Sequence, residues 1–284
     1  MATKNTEMTT ASTEEIILPQ FEGMESVGLG FDGLDASDVA IRVPFMTLLQ
    51  PTSKDVVASK GKLSAGCFLL NGEEQKQFEK LDITVIYFGK DRTMWSENFK
   101  RGDSPICRSF DGKSKVEDGC GSEQGCEHCE FAKFNKETKS SPCSQSYVLL
   151  CQNLEDGTLF KLKAGGASYK PAKEFIQKLY KIANKAGGNA FSFKTTIGSD
   201  FVSNDKGSFY TLNFGEIEMN KKLYPGKSEQ FPMGVDTDYY KALVDTYKSY
   251  ADSLAMQNKK NNLSTNDGSI PEVDFEPSDE DAPF

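Results

Sequence analysis

SYKPAKEFIQKLYKIANKAGG, residues 168–188, is the stretch on which the reading of the fold turns. Ala172, Phe175, Ile176, Leu179 and Ile182 recur at the helical period, Ser168 can cap the start, and Gly187-Gly188 stops the run, so the spacing predicts one amphipathic helix. What lies on either side decides its setting. Upstream, SYVLLCQNL and GTLFKLK bracket Glu155-Asp156-Gly157, where Asp-Gly tolerates the positive φ of a hairpin turn. Downstream, NAFSFKTTIG and GSFYTLNFGEI are β-rich runs joined by SDFVSNDKG, which reads as the loop of a second hairpin. Further upstream, LDITVIYFGKD (81–91) places Leu81, Ile83, Val85 and Tyr87 at period two, and VAIRVPFMTLLQP adds an apolar segment ended by Pro51. A single helix placed before the last two strands, without βαβ alternation, favours a mainly β, α+β chain built on an OB-like Greek-key barrel.

The remaining elements attach to that barrel. A cysteine-bearing insertion covers about 101–143. A C-terminal helix is predicted from Thr237 to about Met256, capped by Asp236, with Tyr240, Leu243, Val244, Tyr247, Ala251 and Leu254 on one face. Residues 39–256 form the domain. Residues 1–38, acidic and without period, read as a disordered N-terminal arm, and 257–284 as a disordered linker and tail.

The net charge of −9 argues against a polyanion partner until its distribution is examined. Residues 1–40 hold one Lys and eight acids, and residues 263–284 hold seven acids and no base, so each end carries −7 and the middle carries −9 + 14 = +5. A mildly basic body between acidic arms can face nucleic acid. No apolar run is long enough to span a bilayer, and the N-terminus lacks a signal core, which predicts a cytoplasmic protein with no membrane partner.

Five of the seven cysteines fall between Cys107 and Cys143. In a cytosolic chain, clustered thiols point to a metal before disulfides, and Cys126-Glu-His-Cys129 has the spacing that turns two thiolates toward one ion. Zinc suits a site of four sulfurs, an iron–sulfur cluster shares the same ligand chemistry, and a saturated four-thiolate zinc site is a structural staple with no open position for catalysis. Cys107, Cys120 and Cys143 compete for the last two places. Cys107 and Cys143 are preferred because each abuts a predicted strand end; Cys120 sits between two glycines. Cys67 and Cys151 lie in apolar runs and read as core, and His128 as a loop residue.

Rings and positive charge mix most densely in residues 87–113, which offer Tyr87, Phe88, Trp95, Phe99 and Phe110 beside Lys90, Arg92, Arg101, Arg108 and Lys113. Single strands are held by base stacking on aromatic faces while cations track the phosphates. A second basic stretch sets Lys161 and Lys163 at period two. No paired acidic motif stands at a strand end, so a metal-dependent nuclease, or a zinc-ribbon factor that binds only protein, is the weaker alternative, and no enzymatic activity is expected.

The order IRVPFMTLLQPTSKDV, a Trp-bearing strand exit, CRSFDG, CxxC and a further Cys before a strand resembles the zinc-containing single-stranded DNA-binding proteins of tailed bacteriophages. The terminal DEDAPF is similar to the acidic tip of bacterial single-stranded DNA-binding proteins, with Ala282 where Ile is usual. The resemblance implies a protein that coats single-stranded DNA in the host-cell cytoplasm during phage replication, recombination or repair. It also implies that Asp279, Glu280, Asp281, Pro283 and Phe284 capture replication, recombination or repair proteins.

Overall fold

The computed structural model describes residues 43–70, 76–96, 104–113, 125–136, 141–204 and 207–263. These lie within one compact unit that begins at Val43. Ten strands among the described residues join into a single curled sheet: β1 (Phe45–Leu48), β2 (Phe68–Leu70), β3 (Lys76–Phe78), β4 (Leu81–Met94), β5 (Cys107–Ser109), β6 (Cys143–Asn153), β7 (Leu159–Ala164), β8 (Phe193–Asn204), β9 (Gly207–Phe214) and β10 (Glu218–Met219). Three α-helices accompany them: α1 (Lys54–Ala58), α2 (Tyr169–Ala186) and α3 (Thr237–Leu263). The chain is mainly β with a few helices, and its topology is consistent with an OB-like half-barrel.

The long strand β4 organises the sheet. Its first residues pair with β8 (Leu81↔Ile197), and the rest runs antiparallel to β6 as far as Met94↔Cys143. A register shift between Val85 and Tyr87 lets one strand serve both neighbours, because a bulge bends the strand and deepens its twist. The β6–β7 hairpin turns at Gly157, φ +79°, with the Gly157 amide donating to the Asn153 carbonyl at 2.9 Å. After α2 the chain returns as the β8–β9 hairpin. Here the sequence reading is corrected: SDFVSN belongs to β8, whose ladder continues to Asn204↔Gly207, so the hairpin is longer than the β propensities of its first half suggest.

One side of the curled sheet holds the main core, with Phe68, Ile83, Leu149, Cys151, Phe160, Leu162 and Ile197 wholly buried. Helix α2 lays Ala172, Phe175 and Leu179 on this core, and Phe175 stacks on Phe214 with ring centroids 4.3 Å apart. Gly187 ends the helix in the left-handed conformation, φ +65°, as its position predicts. Ser168 does not cap; its hydroxyl instead accepts the Leu212 amide at 3.0 Å, tying the helix start to β9.

Opposite the main core, a second cluster of Ile86, Leu150, Phe191, Leu223 and Leu243 sits between the outer sheet face and α3. The Asp236 carboxylate accepts the Tyr239 amide at 2.9 Å, confirming the predicted cap. The apolar face is rotated from the predicted one, with Leu243 buried and Tyr240 and Tyr247 exposed, because Tyr239 and Tyr250 supply the inward contacts. The helix also runs on to Leu263.

Candidate nucleic-acid interface

Strand register sorts the ring- and cation-bearing residues by face, since directly opposed residues share one side of a sheet. Tyr87↔Leu150, Leu150↔Lys161 and Lys161↔Phe45 form one outer row across β4, β6, β7 and β1. Gly89, Val148 and Lys163 form the next, and Arg108 lies further along the same face opposite Thr93.

Two cations on this face sit over rings. Lys161 Nζ is 4.3 Å from the Phe45 ring centroid, and the Arg108 guanidinium carbon is 4.4 Å from that of Phe110. Burial, and then the like charge of Arg108, lower the Lys161 pKa from the ordinary lysine value. Two like charges that act on one another, each seated over an aromatic ring, concentrate positive potential on this face.

The other predicted contacts distribute differently. Lys163 is committed to an ion pair with Asp91 at 3.2 Å, whose carboxylate is only 6% exposed, so its charge is already compensated. The Tyr87 ring packs against Tyr247 and Tyr250 of α3, with centroids 5.9 and 5.2 Å away, instead of presenting a free face. Phe88 points to the other side and meets Phe175 at 6.5 Å, as a core-facing ring does. Lys90 is exposed with its Nζ 5.6 Å from the Tyr147 ring, which in turn stacks on Tyr169 at 4.8 Å. Trp95 is half-buried and Lys113 exposed, while Phe99 and Arg101 lie outside the described residues. So do Asp279, Glu280, Asp281, Pro283 and Phe284 of the tail.

Arg92 belongs to the cysteine cluster. Its guanidinium donates to Gln145 Oε1 at 2.9 Å and to the Ala132 carbonyl at 3.5 Å, and its charge acts on Cys126 and Cys143. The cluster is built as a knuckle. The Cys126 amide donates to the Lys113 carbonyl at 2.8 Å, and Gly125 takes φ +95° where a Cβ would come within 2.7 Å of that carbonyl oxygen. Cys126, Cys129 and Cys143 are buried free thiols, Cys129 and Cys107 pack with Met94 and Ala132, and His128 is exposed. Cys107 is disulfide-bonded.

Burial pushes the Cys143 thiol up to about 11, Arg92 opposes the rise, and Cys126 and Cys129 add to it. Among the described residues no three His, Cys, Asp or Glu side chains are grouped to hold a metal, and Cys120, the competing ligand, lies outside them. The donor chemistry nevertheless fits a thiophilic cation. Cys126 and Cys143, whose ionisation burial and neighbouring thiols discourage, would be stabilised as thiolates by a metal, and the Arg92 Nε, buried without a hydrogen-bond partner, stands where excess thiolate charge would be balanced.

The family model described as Pam3 phage gp34-like protein matches residues 10–251. The chain belongs to the Pam3 phage gp34-like family. It is thus a phage protein, and the matched span includes the outer face of the sheet and the cysteine knuckle but stops before the acidic tail. No curated protein and no solved structure matches the chain. No helix among the described residues is long and apolar enough to cross a membrane.

One exposed aromatic residue escaped the sequence reading. Phe201, assigned there to a loop, stands on β8 with 59% of its surface exposed and its ring edge-on to Tyr210 at 5.3 Å. No local signal marks it: Ser199 and Phe201 on one face and Asp200 and Val202 on the other show no period-two alternation, and the strand here is set by its pairing with β9.

Proposed function

We propose that this phage protein binds and coats single-stranded DNA during replication, recombination or repair in the host-cell cytoplasm. The observation that carries the reading is the Lys161–Arg108 pair, each cation seated over a phenyl ring on the outer face of the barrel. Phosphate would be attracted to the two cations, and the half-buried rings of Phe45 and Phe110 would supply base contacts. Trp95 and Lys113 extend the surface toward the knuckle, while Lys90 stands on the opposite face of β4, over Tyr147. The OB-like order of strands supports the reading, because such barrels bind oligonucleotides on the outer face of their central strands.

In the same reading, zinc is structural. Cys126, Cys129 and Cys143 supply thiolates, and Cys107, once reduced, is the fourth ligand, with Cys120 the alternative. The metal would fasten the insertion to the ends of β5 and β6 and take no part in chemistry. The acidic tip, Asp279 to Phe284, is the hook for replication, recombination or repair proteins.

The decisive experiment is titration of the full chain with poly(dT), poly(rU) and duplex DNA at several salt concentrations, read by Trp95 fluorescence and anisotropy. Tight, strongly salt-dependent binding to single strands without cleavage is expected. Preference for duplex would end the proposal, as would magnesium-dependent cleavage of the strand.

A further inference from the structure

We infer that the β8–β9 hairpin carries a second base-stacking ledge, made by Phe201 on Tyr210, that receives the same strand of DNA as it leaves the Lys161–Arg108 cluster. The inference rests on the single-stranded DNA reading and extends the site to a part of the barrel that neither the composition nor the strand signals indicated.

Phe201 is a large apolar side chain more than half exposed on a regular strand, and its support is rigid. Tyr210 beneath it is gripped along its backbone by Gln50, whose Nε2 donates to the Tyr210 carbonyl at 3.0 Å and whose Oε1 accepts the Tyr210 amide at 2.8 Å. The Tyr210 ring lies flush on Gly66, where an added Cβ would fall 2.5 Å from its Cε1 atom. Ser199 Oγ donates to the Gly66 carbonyl at 2.6 Å and holds β8 to the same point. A ring that stacks on a base loses less freedom when it is already fixed, so this support favours ligand binding.

Charge complements the ring. The segment 51–66 runs between Gln50 and Gly66, the two residues that hold Tyr210, and carries exposed Lys54, Lys60 and Lys62 against a single acid, Asp55. Cations beside an exposed, preorganised aromatic face are what a single strand requires. The two sites lie on opposite faces of the curled sheet: Phe45 and Lys161 on the outer face, Phe201 and Tyr210 on the face that carries Ile197 and Leu212. Gln50 follows Phe45 by five residues, a separation of about 16 Å at 3.3 Å per residue, so a strand passing from one site to the other would cross the rim of the sheet within a few nucleotides.

The test uses the full chain and dye-labelled oligo(dT) of about 4 and about 12 nucleotides, lengths at the two ends of what a barrel of this kind covers. Phe201→Ala should weaken binding of the longer oligomer by about tenfold and leave the shorter one, held by the Lys161–Arg108 cluster, unchanged. Phe201→Tyr should restore the longer-oligomer affinity, because it keeps the stacking face. If Phe201→Ala binds both lengths as wild type does, the ledge is refuted while the DNA-binding function stands. Equal weakening at both lengths would overturn its placement as a separate site. If the wild-type chain binds neither oligomer, the underlying function fails, and the inference fails with it.

Discussion

Gln50 closes the barrel seam by acting as a strand partner for Tyr210: its side-chain amide donates to the Tyr210 carbonyl and accepts the Tyr210 amide, at 3.0 and 2.8 Å, across 160 positions of sequence. In a fully paired barrel a backbone ladder would fill this place; here β1 pairs with β7 and β2, and one side chain spans the remaining gap to β9. Gln50→Ala leaves two backbone groups of β9 without partners and should cost about 1–3 kcal/mol in urea unfolding. Gln50→Glu should cost more, because its carboxylate faces a carbonyl oxygen. An unchanged unfolding midpoint in Gln50→Ala would show that water satisfies the seam equally well.

The curled sheet was legible in the sequence where local pattern and tertiary demand agree. The 3.6-residue period of 168–186, the Asp-Gly turn at 156–157 and the alternation of β4 all reflect one buried face and one exposed face. The short strands β2, β3, β5 and β10 are two or three residues long, too short for a period, and exist only because a neighbouring strand offers a ladder. The site was half legible. Phe110 and Arg108 announce themselves by composition, but Lys163 and Arg92 look equally available until Asp91 and the thiol cluster claim them. Phe45 pairs with Lys161 only through the parallel β1–β7 contact, which no local signal encodes.

Cys129 tests the metal. One zinc per chain, about, should be found by elemental analysis of protein purified under reducing conditions, and Cys129→Ser should lose it and become protease-sensitive within 104–143. Cys120→Ser should retain the ion. Loss of zinc in Cys120→Ser together with retention in Cys107→Ser would exchange those two as ligands. Metal-free protein that folds normally and is indifferent to chelators would remove zinc from the fold.

Lys161 gives the interface a pH signature. Its folded pKa is lowered by burial and then by Arg108, so in the window between that lowered value and the ordinary 10.5 the unfolded chain binds more protons at this site than the folded chain. The cost of keeping Lys161 charged is therefore present at lower pH and is relieved as pH rises through this window. DNA binding has the opposite sign, because phosphate favours the protonated amine: affinity for poly(dT) should fall across the same window, accompanied by proton uptake on binding. Lys161→Arg should remove the fall, and Lys161→Gln should lower affinity at all pH values. A pH profile identical in wild type and Lys161→Arg would exclude this amine from the interface.

The acidic tail supplies a salt-dependent prediction. Its seven acids and the cations of the body attract across solvent, and the screening length falls to about 8 Å at physiological ionic strength. Deleting Asp279 to Phe284 should raise DNA affinity a few-fold, roughly, at low salt and much less at physiological salt. Phe284→Ala should leave DNA affinity alone while abolishing capture of a replication partner. A Phe284→Ala chain that captures partners as well as wild type would reduce the tail to a solubilising segment.

Tyr87 separates packing from recognition. It occupies the same outer row as Lys161, yet its ring is met by Tyr247 and Tyr250 of α3, the second in an edge-on contact at 5.2 Å and 66°. Helix α3 also buries Leu243 in one cluster with Ile86 of β4 and Leu150 of β6, so these rings add to an apolar contact that the helix already makes. Each aromatic pair is worth about 0.5–1.5 kcal/mol beyond its buried area. A double-mutant cycle of Tyr87→Ala and Tyr250→Ala should therefore show a coupling of about 0.5–1.5 kcal/mol in stability, with poly(dT) affinity changed by no more than about twofold. Tyr87→Ala that loses affinity tenfold while keeping full stability would show the reverse: bases would displace the α3 tyrosines from Tyr87, and the helix would have to lift for DNA to bind.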